Sequence, residues 1–323
     1  YRYLTLRNTG ATSDTYSASV NYNKFVGIPD DVYHRNCRPG SNDNAASNPP
    51  LTIMDYNLFI DDNGGVITDL SVYSDKMADL AETSNKNNYA TKEEYEEMIR
   101  SMGVDFDMIV NVEWASLAEN AEVEYENLTW VMGTTAFASI SEAIAAASNE
   151  GAKILVLAGV YSDAITVDKN NITLLGNNYN IFAGNVNRNA ESQITAKITV
   201  AENVEGFTLN GFEVSDAGQL WLSNGTEDST FIYNVISNAS ADGTVHGPGG
   251  ATETTTNVTV SYNYSAANKA YRTIWMWNID GLTASYNEIT NTSAYDFLNV
   301  QGVMAGKVDI VGNTYNTSLQ SFL

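Results

Sequence analysis

The sequence predicts a mostly β chain in which residues 123–323 wind as a right-handed parallel β-helix, preceded over residues 1–122 by a small α+β or mostly β module. Three observations predict it. A phrase recurs through the second part: Ile172-Thr-Leu-Leu-Gly-Asn177, Ser229-Thr-Phe-Ile-Tyr-Asn234, Val258-Thr-Val-Ser-Tyr-Asn263, Leu282-Thr-Ala-Ser-Tyr-Asn287 and Val308-Asp-Ile-Val-Gly-Asn313, with a sixth copy, Phe207-Thr-Leu-Asn-Gly-Phe212, that has Phe in place of Asn. The key positions lie 35, 22, 29, 24 and 26 residues apart, and all but the first interval fit one coil of a solenoid. Within each copy apolar residues alternate with Thr or Ser, the period of a strand with one buried face. Gly or Tyr then precedes Asn, a pair suited to a tight bend because Asn tolerates the left-handed region.

Stacked in register, the repeated Asn residues predict an internal ladder in which each side-chain amide bonds to the next coil. Asn177, Asn234, Asn263, Asn287 and Asn313 are its expected members, and their expected role is structural, since each coil of a solenoid contacts only its neighbours.

Composition narrows the function. A net charge of −23, from 39 acidic and 16 basic residues, argues against nucleic-acid binding, which needs a cationic footprint. The same acidity would suit a divalent cation such as calcium; no other cofactor is expected. Cys37 is the single cysteine, so no intramolecular disulfide forms, and one Cys with two His leaves no Cys/His zinc site. No apolar run is long enough to cross a bilayer. The chain opens at Tyr1 in strand-like alternation without a signal-like segment, so processing from a longer precursor is expected.

In chain order, Leu4-Thr-Leu, Ser17 to Tyr22, Leu51 to Ile60 and Gly65 to Tyr73 read as strands. Turn formers fill the loop from Cys37 to Pro50, and Asp61-Asp-Asn-Gly-Gly65 reads as a hairpin turn. Thr91-Lys-Glu-Glu94 is a capping box opening a helix with an apolar stripe at Tyr95, Met98 and Ile99 and a stop at Gly103. Asp105 to Trp114 and Val123 to Met132 read as strands. A second helix over 139–148 follows, with Ser139 and Glu142 in capping-box spacing and Ile140, Ile144 and Ala147 facing inward. Its place just before the first coil makes it a natural lid, because an open apolar end would recruit other chains. The chain ends at Leu323 shortly after a coil phrase, which favours a continuing solenoid or a covering subunit.

Here a family resemblance enters. Ala136-Phe-Ala-Ser-Ile-Ser-Glu-Ala-Ile, then Ile154-Leu-Val-Leu-Ala-Gly-Val-Tyr161, Ile165-Thr-Val and Ile172-Thr-Leu-Leu-Gly, resembles the opening of pectate-lyase-like right-handed β-helix proteins. In those a capping helix precedes a strand ending in Ala-Gly-Thr-Tyr; Val160 stands here for that Thr. The resemblance spans about residues 125–323 and implies the fold rather than one activity, since such proteins include polysaccharide lyases, surface proteins and phage tail or decoration proteins. A lyase would need a Lys or Arg base beside a uronate carboxylate and acidic residues to hold calcium. The weak candidates are Asp242, His246 and Glu253, then Lys269 and Arg272, then Asp296. No Arg-Pro-Lys-like signature is present, so no catalytic residue is carried over, and a surface salt bridge or solvated face is the expected reading of these charges. Gly243-Thr-Val-His-Gly-Pro-Gly-Gly250 lacks a phosphate loop's Lys-Ser/Thr ending and reads as a flexible excursion, with His246 a polar loop residue.

The aromatic residues carry the stronger binding expectation. Trp221, Tyr271, Trp275 and Trp277 lie in strand-like segments, and Ile274-Trp-Met-Trp puts Trp275 and Trp277 on one face. Facing inward they are core; facing outward they form a platform for sugar rings or a partner subunit. The expected function is an extracellular, cell-surface or virion-surface scaffold working with other subunits of an assembly. The alternatives are a polysaccharide lyase acting on acidic glycans and a non-catalytic glycan-binding adhesin. Sequons at Asn127, Asn171, Asn224 and Asn257 are expected by chance in so Asn- and Thr-rich a chain.

Overall fold

The computed structural model describes residues 105–148, 151–184, 187–237, 243–249, 253–266, 272–290 and 296–315, with residues 4–6, 17–19, 24–28, 37–39, 51–53, 58–61, 63–67, 91 and 94 of the earlier part. It is a mostly β fold with long, all-parallel sheets, consistent with a parallel β-helix. Two compact units divide the chain, Tyr1–Asp105 with Glu124–Thr129, and Phe106–Val123 with Trp130–Leu323.

In the first unit Leu4–Leu6 pairs in parallel with Cys37–Pro39, Ser17–Ser19 with Leu51–Ile53, and Lys24–Ile28 with Leu58–Asp61. Leu58–Asp61 then turns back antiparallel to Val66–Ile67 through Asn63 and Gly64. Thr91 and Glu94 exchange the two bonds of a capping box, Glu94 N to Thr91 Oγ1 at 3.1 Å and Thr91 N to Glu94 Oε2 at 3.0 Å. The apolar stripe at Tyr95, Met98 and Ile99 lies outside the described residues.

In the second unit three columns of strands repeat along the chain. The first runs Met108–Val110, Ala152–Val156, Ile172–Gly176, Thr208–Asn210, Thr230–Ile232 and Thr255–Ser261; the second runs Gly159–Tyr161, Ser192–Ile194, Glu213–Ser215, Val235–Ser237, Tyr264–Ala266, Glu288–Ile289 and Thr314–Tyr315. The third runs Ile165–Val167, Lys197–Val200, Gln219–Leu222 and Val245–His246. The long strand Arg272–Ser285 joins the third column to the first, pairing with Val245–His246 at one end and Thr255–Ser261 at the other. Inside, equivalent positions stack by register: Ile154, Leu174, Leu209, Phe231, Val260 and Ala284, each at most 1% exposed. Ile165, Ile198, Leu220, Val245, Ile274 and Leu298 form the matching stack of the third column. The Thr and Ser that alternate with these residues take the other face, which is why a short period-two phrase suffices to define each strand.

The helix Ile140–Ala146 starts at Ser139, whose Oγ accepts from Glu142 N at 3.2 Å, and buries Ile140, Ala143 and Ile144 in the same core. Lys169 Nζ donates to the carbonyls of Ala145 and Ala147 at 2.7 and 2.5 Å, placing a cation at the negative end of the helix. Two expected strands differ. The segment 105–114 is the strand Met108–Val110 followed by a 3-10 helix, Val112–Ser116, because Asn111 caps that turn by accepting from Glu113 N at 3.0 Å. The segment 123–132 is two strands, Glu122–Tyr125 and Leu128–Val131, with Glu126 and Asn127 between them at φ 51° and 63°.

The bends between first and second columns carry the amide chain. Asn234 Oδ1 accepts from Phe212 N, Asn263 Oδ1 from Asn234 N, Asn287 Oδ1 from Asn263 N and Asn313 Oδ1 from Asn287 N, all at 2.9 Å. The Nδ2 groups of Asn234, Asn263, Asn287 and Asn313 donate to Leu209, Phe231, Val260 and Ala284 carbonyls. Asn177 is corrected: it lies outside this chain, donating instead from Nδ2 to Ala190 O at 2.9 Å, while its own N–H meets Ser192 Oγ. The residue one coil on from Asn177 is Phe212, which has no amide to offer.

The residue before each Asn explains the Gly-or-Tyr choice. Tyr233, Tyr262 and Tyr286 have φ of 54°, 57° and 55°, and their rings stack with centroids 5.2 and 5.1 Å apart. A non-Gly residue there costs about 1–2 kcal/mol, and each ring pair returns about 0.5–1.5 kcal/mol, so stacking offsets the strain. At Gly211 no side chain fits, since a Cβ would lie 2.2 Å from Tyr179 N. That backbone belongs to the loop after Asn177, the cause of the long first interval. Arg188 fastens it: Nη2 donates to Gly211 O at 3.0 Å, Nη1 to Tyr233 O at 2.8 Å, and Nε to Glu191 at 2.7 Å.

Two outcomes test this account. Asn263→Ala removes the partners of Asn234 N, Phe231 O and the Asn287 amide in a site 2% exposed, so urea denaturation should show a loss of about 2–4 kcal/mol, whereas Asn177→Ala should cost less than half as much. Burial pushes the Tyr161 phenol up to about 12, with the backbone near Val112 opposing and Glu113 adding to the rise. Because the folded value exceeds the unfolded value of 10.0, this stability is complete below pH 10 and is lost as pH climbs toward 12. Denaturation midpoints of Tyr161→Phe should lack that fall, on the order of 2 kcal/mol.

Candidate functional site

The outer face of the third column places a run of aromatic and basic side chains in one line. Register sets Thr199 beside Trp221, Trp221 beside His246, His246 beside Trp275, and Trp275 beside Asn299. Because Leu220, Leu222, Val245, Ile274 and Met276 take the inner side, the alternate residues Trp221, His246 and Trp275 point outward. The Trp221 and His246 rings stack at 4.2 Å and 14°, and His246 meets Trp275 edge-on at 4.6 Å and 64°. Lys197 Nζ lies 3.9 Å from the Trp221 ring centre, and the Arg272 guanidinium 4.6 Å from that of Trp275. Two cations therefore bracket three rings. Each contact of this kind contributes about 0.5–1 kcal/mol at an exposed site.

His246 is 5% exposed and belongs to the strand Val245–His246, which corrects the expectation of a flexible excursion over 243–250. Val245 fills the inner stack, so this turn-rich stretch supplies a strand of the sheet. The glycines let the neighbours close in: a Cβ on Gly243, at φ +86°, would lie 3.0 Å from Trp275 Cβ, and one on Gly247 3.0 Å from Met276 Sδ. Gln219 Nε2 donates to Gly243 O at 2.7 Å and holds the strand's approach.

Trp277 is half-buried on the Trp275 side of the strand, one residue before Asn278, whose φ of 45° marks the bend toward the first column. Glu253 sits at that bend, its carbonyl accepting from Asn278 Nδ2 at 2.9 Å. Asp296 is the backbone register partner of Arg272. Asp242, Lys269 and Tyr271 lie outside the described residues. The register brings together Trp221, His246, Trp275 and Arg272; Lys197 was not singled out by sequence reasoning. Its signal was the coil-length spacing of Lys197, Gln219 and Thr244, which becomes visible only when the register is known.

Electrostatically the line is basic within a strongly acidic chain. Burial lowers the Lys197 ammonium below the ordinary lysine range. Trp275 Nε1, Thr244 Oγ1 and Thr273 Oγ1 are buried and have no hydrogen-bond partner among the described residues, a cost of about 1–3 kcal/mol each where nothing compensates. Flat rings and flanking cations suit a ligand with an apolar face and acidic groups. Among the described residues no group of three or more His, Cys, Asp or Glu is placed to hold a metal ion, and no helix is long and apolar enough to cross a membrane. Comparisons with protein-family models, with curated proteins and with solved structures give no match.

Trp221→Ala should uncover Lys197 and return its titration toward the usual lysine range. An NMR pH titration of the Lys197 side chain would read this as an upward shift, and an unchanged titration would mean that the ring does not desolvate the ammonium.

Proposed function

We propose that this chain is a structural and interaction protein of an extracellular or particle surface. In this reading a right-handed parallel β-helix of the pectate-lyase-like type, closed at its first coil by the helix Ile140–Ala146, is a stiff spacer within an assembly. The Lys197–Trp221–His246–Trp275–Arg272 line is its contact face. The observation that carries the reading is that these rings are held outward on a sheet whose coils are tied to one another by the amide chain at the opposite corner. Aromatic side chains already fixed by their neighbours lose little freedom on binding, so more of their apolar area is realised as affinity.

A second reading is favoured by the cations at both ends of the line: the partner is a glycan, its sugar rings on Trp221 and Trp275 and its acidic groups on Lys197 and Arg272. A lyase would use the same face and would need a base, for which Arg272 is the candidate among the described residues.

Light scattering over a concentration series, with a glycan array beside it, separates these. The scaffold reading expects self-association and the glycan reading a bound glycan, each weakened about tenfold or more by Trp275→Ala. A monomer at every concentration that retains no glycan would sink both readings. A rise in ultraviolet absorbance on pectin, alginate or hyaluronan, lost in Arg272→Ala, would replace them with the lyase.

A further inference from the structure

Away from the ring line, a groove of about 410 Å³ opens between the 3-10 helix Val112–Ser116, the segment after it and the helix Ile140–Ala146. That volume falls in the range of small-molecule sites, about 300–1,000 Å³. Its walls are mainly apolar, with Trp114, Leu117, Met132 and Phe137 among them, and among the described residues that line it the charged ones are Glu119 and Glu142.

The groove is held by local structure rather than by chance placement of side chains. Trp114 stands on a turn tied at both ends, by the Asn111 cap and by Leu117 N donating to Trp114 O at 2.9 Å. Leu117 is 42% exposed, an apolar side chain left at the groove with water for a neighbour. Glu142 is fixed in the first helical turn through Ser139. Glu119 lies across Gly133, at φ +79°, where a Cβ would come within 2.7 Å of its Oε1, so the carboxylate occupies space that only glycine leaves open.

We infer that this groove binds an organic ammonium ion: an amine whose charged end is drawn by the Glu119 and Glu142 carboxylates and whose apolar body lies on Trp114 and Leu117. The charge selects the class. An anion would be repelled by the two carboxylates that line the groove, and a neutral apolar molecule would leave both partly dehydrated without a partner, which is costly. A cation gains Coulomb attraction from both, and an indole face adds a cation–π contribution. The groove shares no residue with the ring line, so it stands or falls apart from the scaffold reading.

The test uses the full chain and three ligands of one shape: phenethylammonium, 2-phenylethanol and 3-phenylpropanoate, titrated by calorimetry and by the NMR signal of the Trp114 indole N–H. Phenethylammonium should bind at one site with a Kd on the order of 1 mM, as suits a ligand of its size, and about tenfold or more tighter than either analogue. Glu119→Gln with Glu142→Gln should abolish that preference while leaving the circular dichroism spectrum unchanged. Gly133→Ala, which displaces the Glu119 carboxylate, should weaken the amine alone. Equal binding of all three ligands, unchanged binding in the double variant, or no shift of the Trp114 signal with the amine would each overturn the assignment.

Discussion

A parallel coil must turn three corners per circuit, and every corner exposes backbone N–H and C=O groups that the sheets do not use. At the corner after the first column these groups are buried, where each unmet donor or acceptor costs about 1–3 kcal/mol against a net stability of about 5–15 kcal/mol. One carboxamide per coil meets them. Its oxygen takes an N–H from the coil before, and its nitrogen reaches a carbonyl of that preceding coil, so Asn234, Asn263 and Asn287 each satisfy the earlier bend and join two circuits. Asp could accept but not donate, and Gln would set the group one carbon too far out. The inner stacks, the strained tyrosines and the outward rings all presuppose coils held at this fixed spacing.

That spacing also explains how ordinary side chains become a surface. Trp221, His246 and Trp275 are 25 and 29 residues apart in sequence and have no local reason to meet. Register alone puts them in ring contact. Lys197 and Arg272 then lie over the two tryptophans, and the line acquires a positive character that a chain of net charge −23 does not otherwise suggest.

The parts of this architecture written in local pattern were legible beforehand. Period-two alternation and a repeated Asn are read one coil at a time, and Ser139 with Glu142 announces a helix start by spacing alone. What could not be read depends on distant chain. The phrase at Asn177 matches the others letter for letter at the Asn, yet its neighbour on the next coil is Phe212, and the long loop fastened by Arg188 alters what its bend requires. Val245–His246 was hidden because Gly243, Gly247 and Pro248 are turn formers by propensity, and only packing against Trp275 and Met276 explains their use in and beside a strand. The 3-10 turn after Met108–Val110 opens at the Asn111 side-chain cap and closes at Leu117, and neither residue breaks the strand-like pattern of the segment.

Phe212 has a further consequence. It gives an N–H to Asn234 and passes nothing on, and the coil before it is served by the Ser192 hydroxyl, so the amide relay has a definite first link. Upstream of Phe212 the coils are joined instead by strand pairing and by the Arg188 contacts to Gly211 and Tyr233. Parallel strands that pair alike along their length thus carry two kinds of corner, with the change drawn by one aromatic ring in a row of amides.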